Sequence, residues 1–207
     1  LPVSYTAKDI QVLEGLERWL DSPDQVLRSY PLAIRVRLLE LALSGIDGKT
    51  HTRCYTLSSS PSRPLCATIT VKATGGPVSS WLHQHLKVGD TLRASAPSGI
   101  FSFHHHPAHK YLFLAGGVGI TPLMSMTRWL FDLGARTDVC FIQCARTPED
   151  LLFRTELEAI SGRLPEFRIA WVCEKPKKQG PAWPGYSGRL NQLMLELICP
   201  DYMEREV

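Results

Sequence analysis

The segment Ala115-Gly116-Gly117-Val118-Gly119-Ile120-Thr121-Pro122 constrains the fold of this chain more than any other. An apolar run over residues 111–115 leads into it, and Leu123, Met126, Leu130 and Leu133 repeat at helical spacing after it, as far as Gly134. A strand that turns through glycines into a helix gathers backbone N–H groups and the positive end of the helix dipole at one point. That arrangement suits a phosphate. A tight turn that binds nothing is the plain alternative. The loop meets the dinucleotide pattern G-x-G-x-x-G only in part, because Pro122 stands where the third glycine would be. No acid closes the second strand either, where Cys144-Ala145-Arg146 stands, so an ordinary Rossmann dehydrogenase fits poorly.

The alternation continues downstream. Residues 139–144 read as the next strand. Thr147-Pro148-Glu149-Asp150 then offers an N-cap, a proline at the first helical position and acids in the first turn of a helix expected to reach Ile160. Residues 167–173 read as a third strand, and Leu190, Leu193, Met194, Leu197 and Ile198 mark a third helix. This order predicts a parallel sheet covered by helices. Upstream, residues 33–39, 67–73 and 91–95 read as short strands between turns such as Gly75-Gly76-Pro77 and Gly89-Asp90. Asp47-Gly48 is a hairpin-type pair leading to Arg53-Cys54-Tyr55-Thr56. Leu13, Leu16, Leu20 and Val26 read as helix. The expected architecture is an antiparallel β-barrel over residues 1–106, atypical in about its first 45, followed by an α/β unit over residues 107–207.

Composition narrows the partners rather than the fold. Among 207 residues, Lys and Arg exceed Asp and Glu by 23 − 20 = 3, a balance that gives no reason to expect nucleic acid or an anionic membrane. The most apolar stretch, residues 111–126, is broken by three glycines and a proline and falls short of the roughly 20 residues of a membrane span. The cysteines (Cys54, Cys66, Cys140, Cys144, Cys173, Cys199) form no C-x-x-C pair, and three lie in apolar runs where thiols pack as small hydrophobes. This usage favours a reduced, cytoplasmic setting.

Chemistry concentrates in Arg53-Cys54-Tyr55-Thr56-Leu57-Ser58. Alternation along a strand puts Arg53, Tyr55 and Leu57 on one face, where a guanidinium suits a pyrophosphate and a phenol ring can lie against a flat cofactor. An ordinary exposed strand is the alternative. Gly75-Gly76-Pro77-Val78-Ser79-Ser80 adds a glycine turn and hydroxyls before an expected helix, a second phosphate-type site.

Arg53-x-Tyr55-Thr56-x-Ser58, Gly76-x-x-Ser79, Pro97-Ser98-Gly99-x-Phe101 and Gly116-Gly117-x-Gly119-Ile120-Thr121-Pro122 occur in that order. Together they resemble the ferredoxin–NADP reductase superfamily, and within it the NAD(P)H-dependent reductase components of hybrid-cluster proteins and Rieske-type oxygenases. The resemblance covers residues 48–207. It implies a bound flavin, FAD with FMN as the alternative, and NADH or NADPH as donor. It implies that Arg53 holds the flavin phosphates, that Tyr55 packs on the isoalloxazine and Thr56 lies near flavin N5 as the catalytic pair, and that Ser58 also binds the cofactor. Gly76, Val78 and Ser79 match the pyrophosphate turn. Gly116, Gly117, Gly119, Thr121 and Pro122 match the nicotinamide-nucleotide loop, and Arg146 and Arg154 match positions that meet the adenosine ribose or its phosphate. Plain surface roles are the alternative for these two arginines. The implied reaction is hydride transfer to the flavin, then single-electron transfer to an iron–sulfur acceptor, a separate protein or a further domain. A non-catalytic or truncated flavin- and nucleotide-binding subunit is the rival reading.

Two departures qualify the resemblance. The family's P-G-Q-[FY] segment has no counterpart in residues 29–47, and the family's strand carrying Cys-Gly-x-Pro would begin where this chain stops, so truncation is expected. His104-His105-His106 with His109 reads as a polar linker rather than a metal site, because neighbouring residues on an extended chain point in opposite directions. His83 and His85 read as surface or capping groups, and no metal is expected.

Overall fold

The computed structural model describes residues 10–13, 38–46, 48–63, 67–94, 99–103, 105–176 and 182–207. In the first half the chain builds antiparallel sheets from β1 (Ile10–Leu13), β2 (Leu38–Ile46), β3 (Lys49–Thr56), β4 (Ile69–Lys72) and β5 (Arg93–Ala94). β2 and β3 pair antiparallel with Leu38 opposite Thr56 and Ile46 opposite Lys49, and Gly48, just before β3, takes φ 70°. A positive φ is what makes a glycine favourable there. β5 pairs with β2 and β1 with β4, giving a three-stranded sheet β3-β2-β5 and a two-stranded sheet β1-β4 linked by an isolated bridge from Leu57 to Ile69. Helix α1 (Pro77–His85) starts on a proline and lays Val78 and Leu82, four apart on one face, onto Ile69, Val71 and Leu92.

The second half is a parallel sheet in the order β6-β7-β8-β9: β6 (Lys110–Gly116), β7 (Asp138–Ala145), β8 (Phe167–Cys173) and β9 (Tyr186–Ser187). Buried on both faces, β7 is an unbroken apolar run through Ile142. Val139 and Phe141 face α2 (Thr121–Leu133) and α3 (Arg154–Ser161), meeting Leu123, Met126, Leu130 and Leu157. Cys140 and Ile142 face the other way, towards Leu112, Val172, Cys199 and the inner side of α4 (Gln192–Ile198). The result is helix, sheet, helix in three layers. Phe103 already belongs to the core on the α2 side, 4.6 Å from the Tyr111 ring.

Beyond α4 the chain returns to the sheet. The Arg205 side chain is 1% exposed and forks onto both Asp138 (2.8 and 2.9 Å) and Asp201 (2.9 Å twice). Glu206 then extends the sheet beside β6, its carbonyl accepting from Leu112 N–H at 2.8 Å and its N–H donating to the Lys110 carbonyl at 3.1 Å.

Several expectations are corrected. Leu13 lies in strand β1, in register with Ile69, not in a helix; Leu16, Leu20 and Val26 lie outside the described residues. The strand expected over residues 33–39 is described only from Leu38, and it runs on to Ile46. The helix after Thr147 is split. Pro148–Asp150 make one 3₁₀ turn, Leu151 and Leu152 plug into the core, and α3 starts only at Arg154 after Phe153 adopts φ 55°. Phe153 in the left-handed region breaks the helical run, so Leu151 and Leu152 reach the core outside any α-helix. In α4, Leu193 and Leu197 are exposed; Met194, Leu195 and Ile198 do the packing. β9 had no signal beyond two residues. Among the described residues, no helix is long and apolar enough to cross a membrane.

Candidate functional site

β3 carries the arginine–tyrosine motif in its second half. The Arg53 side chain is exposed, with Nη1 donating to the Thr52 carbonyl at 2.7 Å. Tyr55, half-buried, leans on the antiparallel core with Leu57. Burial pushes its phenol pKa up, and the Arg53 charge acts against that rise. The hydroxyl is therefore neutral at ordinary pH. Thr56 ends the strand, half-buried.

Ser58, two residues on, has no exposure. Its Oγ lies 3.1 Å from Thr68 Oγ1 and 3.0 Å from Thr70 Oγ1, and its N–H donates to the Thr68 carbonyl at 2.8 Å. Here the hydroxyl fastens the motif strand to β4 and does not face outwards with Arg53.

The Gly76 turn opens α1. Ser79 is buried and turns its Oγ back on Thr74 Oγ1 (3.0 Å) and the Gly76 carbonyl (3.2 Å). Val78 belongs to the core. What the turn offers outwards is backbone: no side chain caps the helix start, so the first-turn N–H groups are the donors available to an anion. His83 Nε2 sits 3.0 Å from the Val71 carbonyl.

The glycine loop lies between β6 and α2 as a 3₁₀ turn over Gly117–Ile120, close to β4. Gly117 takes φ 56°. A Cβ added at Gly116, Gly117 or Gly119 would meet no atom within 4 Å. These glycines thus border open space rather than packed protein, as a cradle for a ligand requires. Thr121 is buried at the first position of α2, with Pro122 beside it. An exposed guanidinium, an uncapped helix start and an open glycine cradle are features that fit two phosphate-bearing cofactors.

Arg146 follows β7 in an exposed position, with Nε 3.6 Å from Asp150. Arg154 opens α3, bonded to Glu158 at 2.8 Å and placed 5.6 Å from the Trp183 ring centre. Both stand at the end of the parallel sheet where the glycine loop also lies, since β6 and β7 run in register from Lys110 and Asp138 to Gly116 and Cys144.

Sequence reasoning missed the contacts that join the two halves. Along α2, Ser125, Arg128 and Asp132 occupy one helical stripe facing residues 58–63. Ser125 Oγ donates to the Ser59 carbonyl at 2.7 Å, and Arg128 Nη1 to the Ser58 carbonyl at 2.6 Å. Asp132 accepts from Ser62 Oγ at 2.5 Å and from the Arg63 guanidinium, which lower its pKa against the opposing effect of burial. The signal was legible as polar residues three and four apart in an otherwise apolar helix, but the partner segment was not.

Among the described residues no group of His, Cys, Asp and Glu could hold a metal. His106 instead sits 2.9 Å from Glu206. Cys140, Cys173 and Cys199 are buried; burial pushes the thiol pKa of Cys140 up to about 12 and that of Cys173 to about 11. They are packing groups, not nucleophiles.

A family model described as "Oxidoreductase NAD-binding domain" matches residues 113–206. The glycine betaine monooxygenase reductase subunit of Chromohalobacter salexigens is 52% identical over 163 residues, covering 78% of this chain and 44% of that protein. The stachydrine N-demethylase reductase subunit Stc4 of Rhizobium meliloti is 47% identical over 207 residues, covering 96% of this chain and 58% of that protein. This chain thus spans about half the length of the curated relatives it matches. Among solved structures, a ferredoxin NADP+ reductase from Neisseria gonorrhoeae with bound FAD and NADP matches with a TM-score of 0.65 at 20% identity, covering 96% of this chain and 81% of that one. An antiparallel unit carrying Arg53, Tyr55 and Thr56, beside a parallel sheet with a glycine loop at its first crossover, is the fold shared with that solved structure. Residues 113–206 thus match the oxidoreductase NAD-binding domain family, and the fold is ferredoxin–NADP reductase-like.

Proposed function

We propose that this chain holds FAD and NADH or NADPH side by side and relays their reducing equivalents to an iron–sulfur protein. The recipient is an oxygenase of Rieske type, a reading supported by relatives named as reductase subunits of a monooxygenase and a demethylase. The observation that carries the reading is the open glycine cradle at Gly116, Gly117 and Gly119, next to the antiparallel sheet that bears Arg53 and Tyr55.

In this reading residues 1–106 form the flavin unit and residues 107–207 the nucleotide unit, working in the cytoplasm. Arg53 holds the flavin phosphates through charge-assisted hydrogen bonds, helped by backbone donors of Gly76, Val78 and Ser79. Tyr55 lies against the ring system and Thr56 orients its reacting edge. Ser58 contributes by keeping their strand in place. Gly116, Gly117, Gly119, Thr121 and Pro122 receive the nicotinamide nucleotide, with Arg146 and Arg154 at its adenosine end. When bound, the flavin supplies two-electron acceptance and one-electron release, which no side chain here can provide. The chain's own residues bind, orient and exclude water; none is required to move a proton.

Titrating the purified protein with FAD and with FMN tests this assignment through quenching of flavin fluorescence. Saturable quenching by FAD is expected. Absence of binding to either flavin would remove the antiparallel sheet from any redox role.

A further inference from the structure

We infer that Arg128 is a positioning residue that sets the register between the flavin-motif strand and the nucleotide loop. This rests on the two sites proposed above. Helix α2 starts at Thr121, the last turn of the glycine loop, and is 13 residues long. At a rise of about 1.5 Å per residue it is a rod of roughly 20 Å. The segment it grips begins at Ser58, two residues after Thr56. One rigid element therefore carries the nucleotide loop at its first turn and the end of the flavin strand along its side.

Arg128 occupies the middle of that grip with every nitrogen committed. Nε and Nη2 bond the two Glu156 oxygens at 2.7 and 2.8 Å, and Nη1 bonds the Ser58 carbonyl at 2.6 Å. Its carbon centre stands 5.0 Å from the ring of Phe153, the residue held at φ 55° just before α3. A planar guanidinium bound to a carboxylate at two points cannot rotate, so the third donor is aimed. Arg128 thereby ties three things together: the strand carrying Tyr55 and Thr56, the helix beneath the glycine loop, and α3, whose first residue is Arg154.

A purely stabilising role is the competing explanation. The fold has other attachments at the same seam: Ser125 to the Ser59 carbonyl, and Asp132 to Ser62 and Arg63. α2 is also anchored by Leu123, Met126 and Leu130 in the core. Losing Arg128 leaves these in place, while the fixed angle between carbonyl, helix and α3 is lost. Small misplacements of reacting groups can cost on the order of a hundredfold in rate without a comparable loss of binding.

The test compares the full chain with its Arg128→Met and Arg128→Lys variants. For Arg128→Met, retained flavin and affinity for NAD+ are expected within about twofold of wild type. Backbone amides of residues 58–63 are expected to exchange hydrogen faster, and single-turnover flavin bleaching by the pyridine nucleotide to slow at least about tenfold. Arg128→Lys, which keeps a charge but not the fork, is expected between the two. Unchanged bleaching and unchanged exchange in Arg128→Met overturn the inference. So does a variant that loses flavin and nucleotide in proportion to its rate, because that marks a structural role. A wild-type chain that binds no flavin overturns the functional reading and this inference with it; a wild-type chain that bleaches alongside an equally fast variant overturns the inference alone.

Discussion

Arg53 and Ser58 stand five positions apart in one motif, yet the structure uses them in opposite ways. Arg53 is exposed, so a ligand can reach it, whereas Ser58 spends its hydroxyl on Thr68 and Thr70 inside. Replacing Arg53→Ala is expected to weaken flavin retention by about 1.5–3 kcal/mol, the worth of a hydrogen bond to a charged group. That corresponds to roughly 10- to 150-fold in Kd, measured by flavin fluorescence, with little change in Tm because the side chain is exposed. An unaltered Kd would take Arg53 out of the site. The difference between the two residues could not be read from spacing alone. Period-two alternation puts residues 53, 55 and 57 on one side and 56 and 58 on the other, but which side meets solvent depends on where β4 docks.

At the scale of elements, the parallel half was legible because its apolar runs are long and bounded. Residues 167–173 coincide with β8, and the strand, glycine loop and helix around residue 117 fall where the pattern places them. Shorter elements were not. β9 has two residues and gains its place from pairing with β8, and β1 is specified by its register with β4 rather than by its own pattern. Closure of the sheet by the Arg205 network was also invisible, since its partners Asp138 and Asp201 come together only in the folded chain. Removing this buried guanidinium by Arg205→Met is expected to cost about 3 kcal/mol, seen as a lower Tm. Bonds to Arg205 hold the Asp138 and Asp201 carboxyls below the usual range. Groups depressed on folding stabilise fully above their unfolded pKa of about 3.9, and that stabilisation is lost as pH falls through the acid range. Tm should therefore fall from about pH 5 downwards, and less steeply in Arg205→Met. Equal slopes in the two proteins would place the acid sensitivity elsewhere.

Among the described residues, the antiparallel and parallel halves have separate cores and meet along a polar stripe on α2. That division suits a device that must hold two planar cofactors in contact while each binds to its own scaffold. Hydrophobic packing builds each half; the Ser125, Arg128 and Asp132 contacts fix how the halves meet. In the proposed function, electrons pass from a pyridine nucleotide to a flavin held on this chain. The most direct measurement is the visible absorbance of the FAD-loaded protein under anaerobic conditions, before and after adding NADH or NADPH. Loss of the yellow oxidised-flavin band in proportion to the nucleotide added is the predicted result. A band that persists with both nucleotides, in protein that retains its flavin, would contradict it.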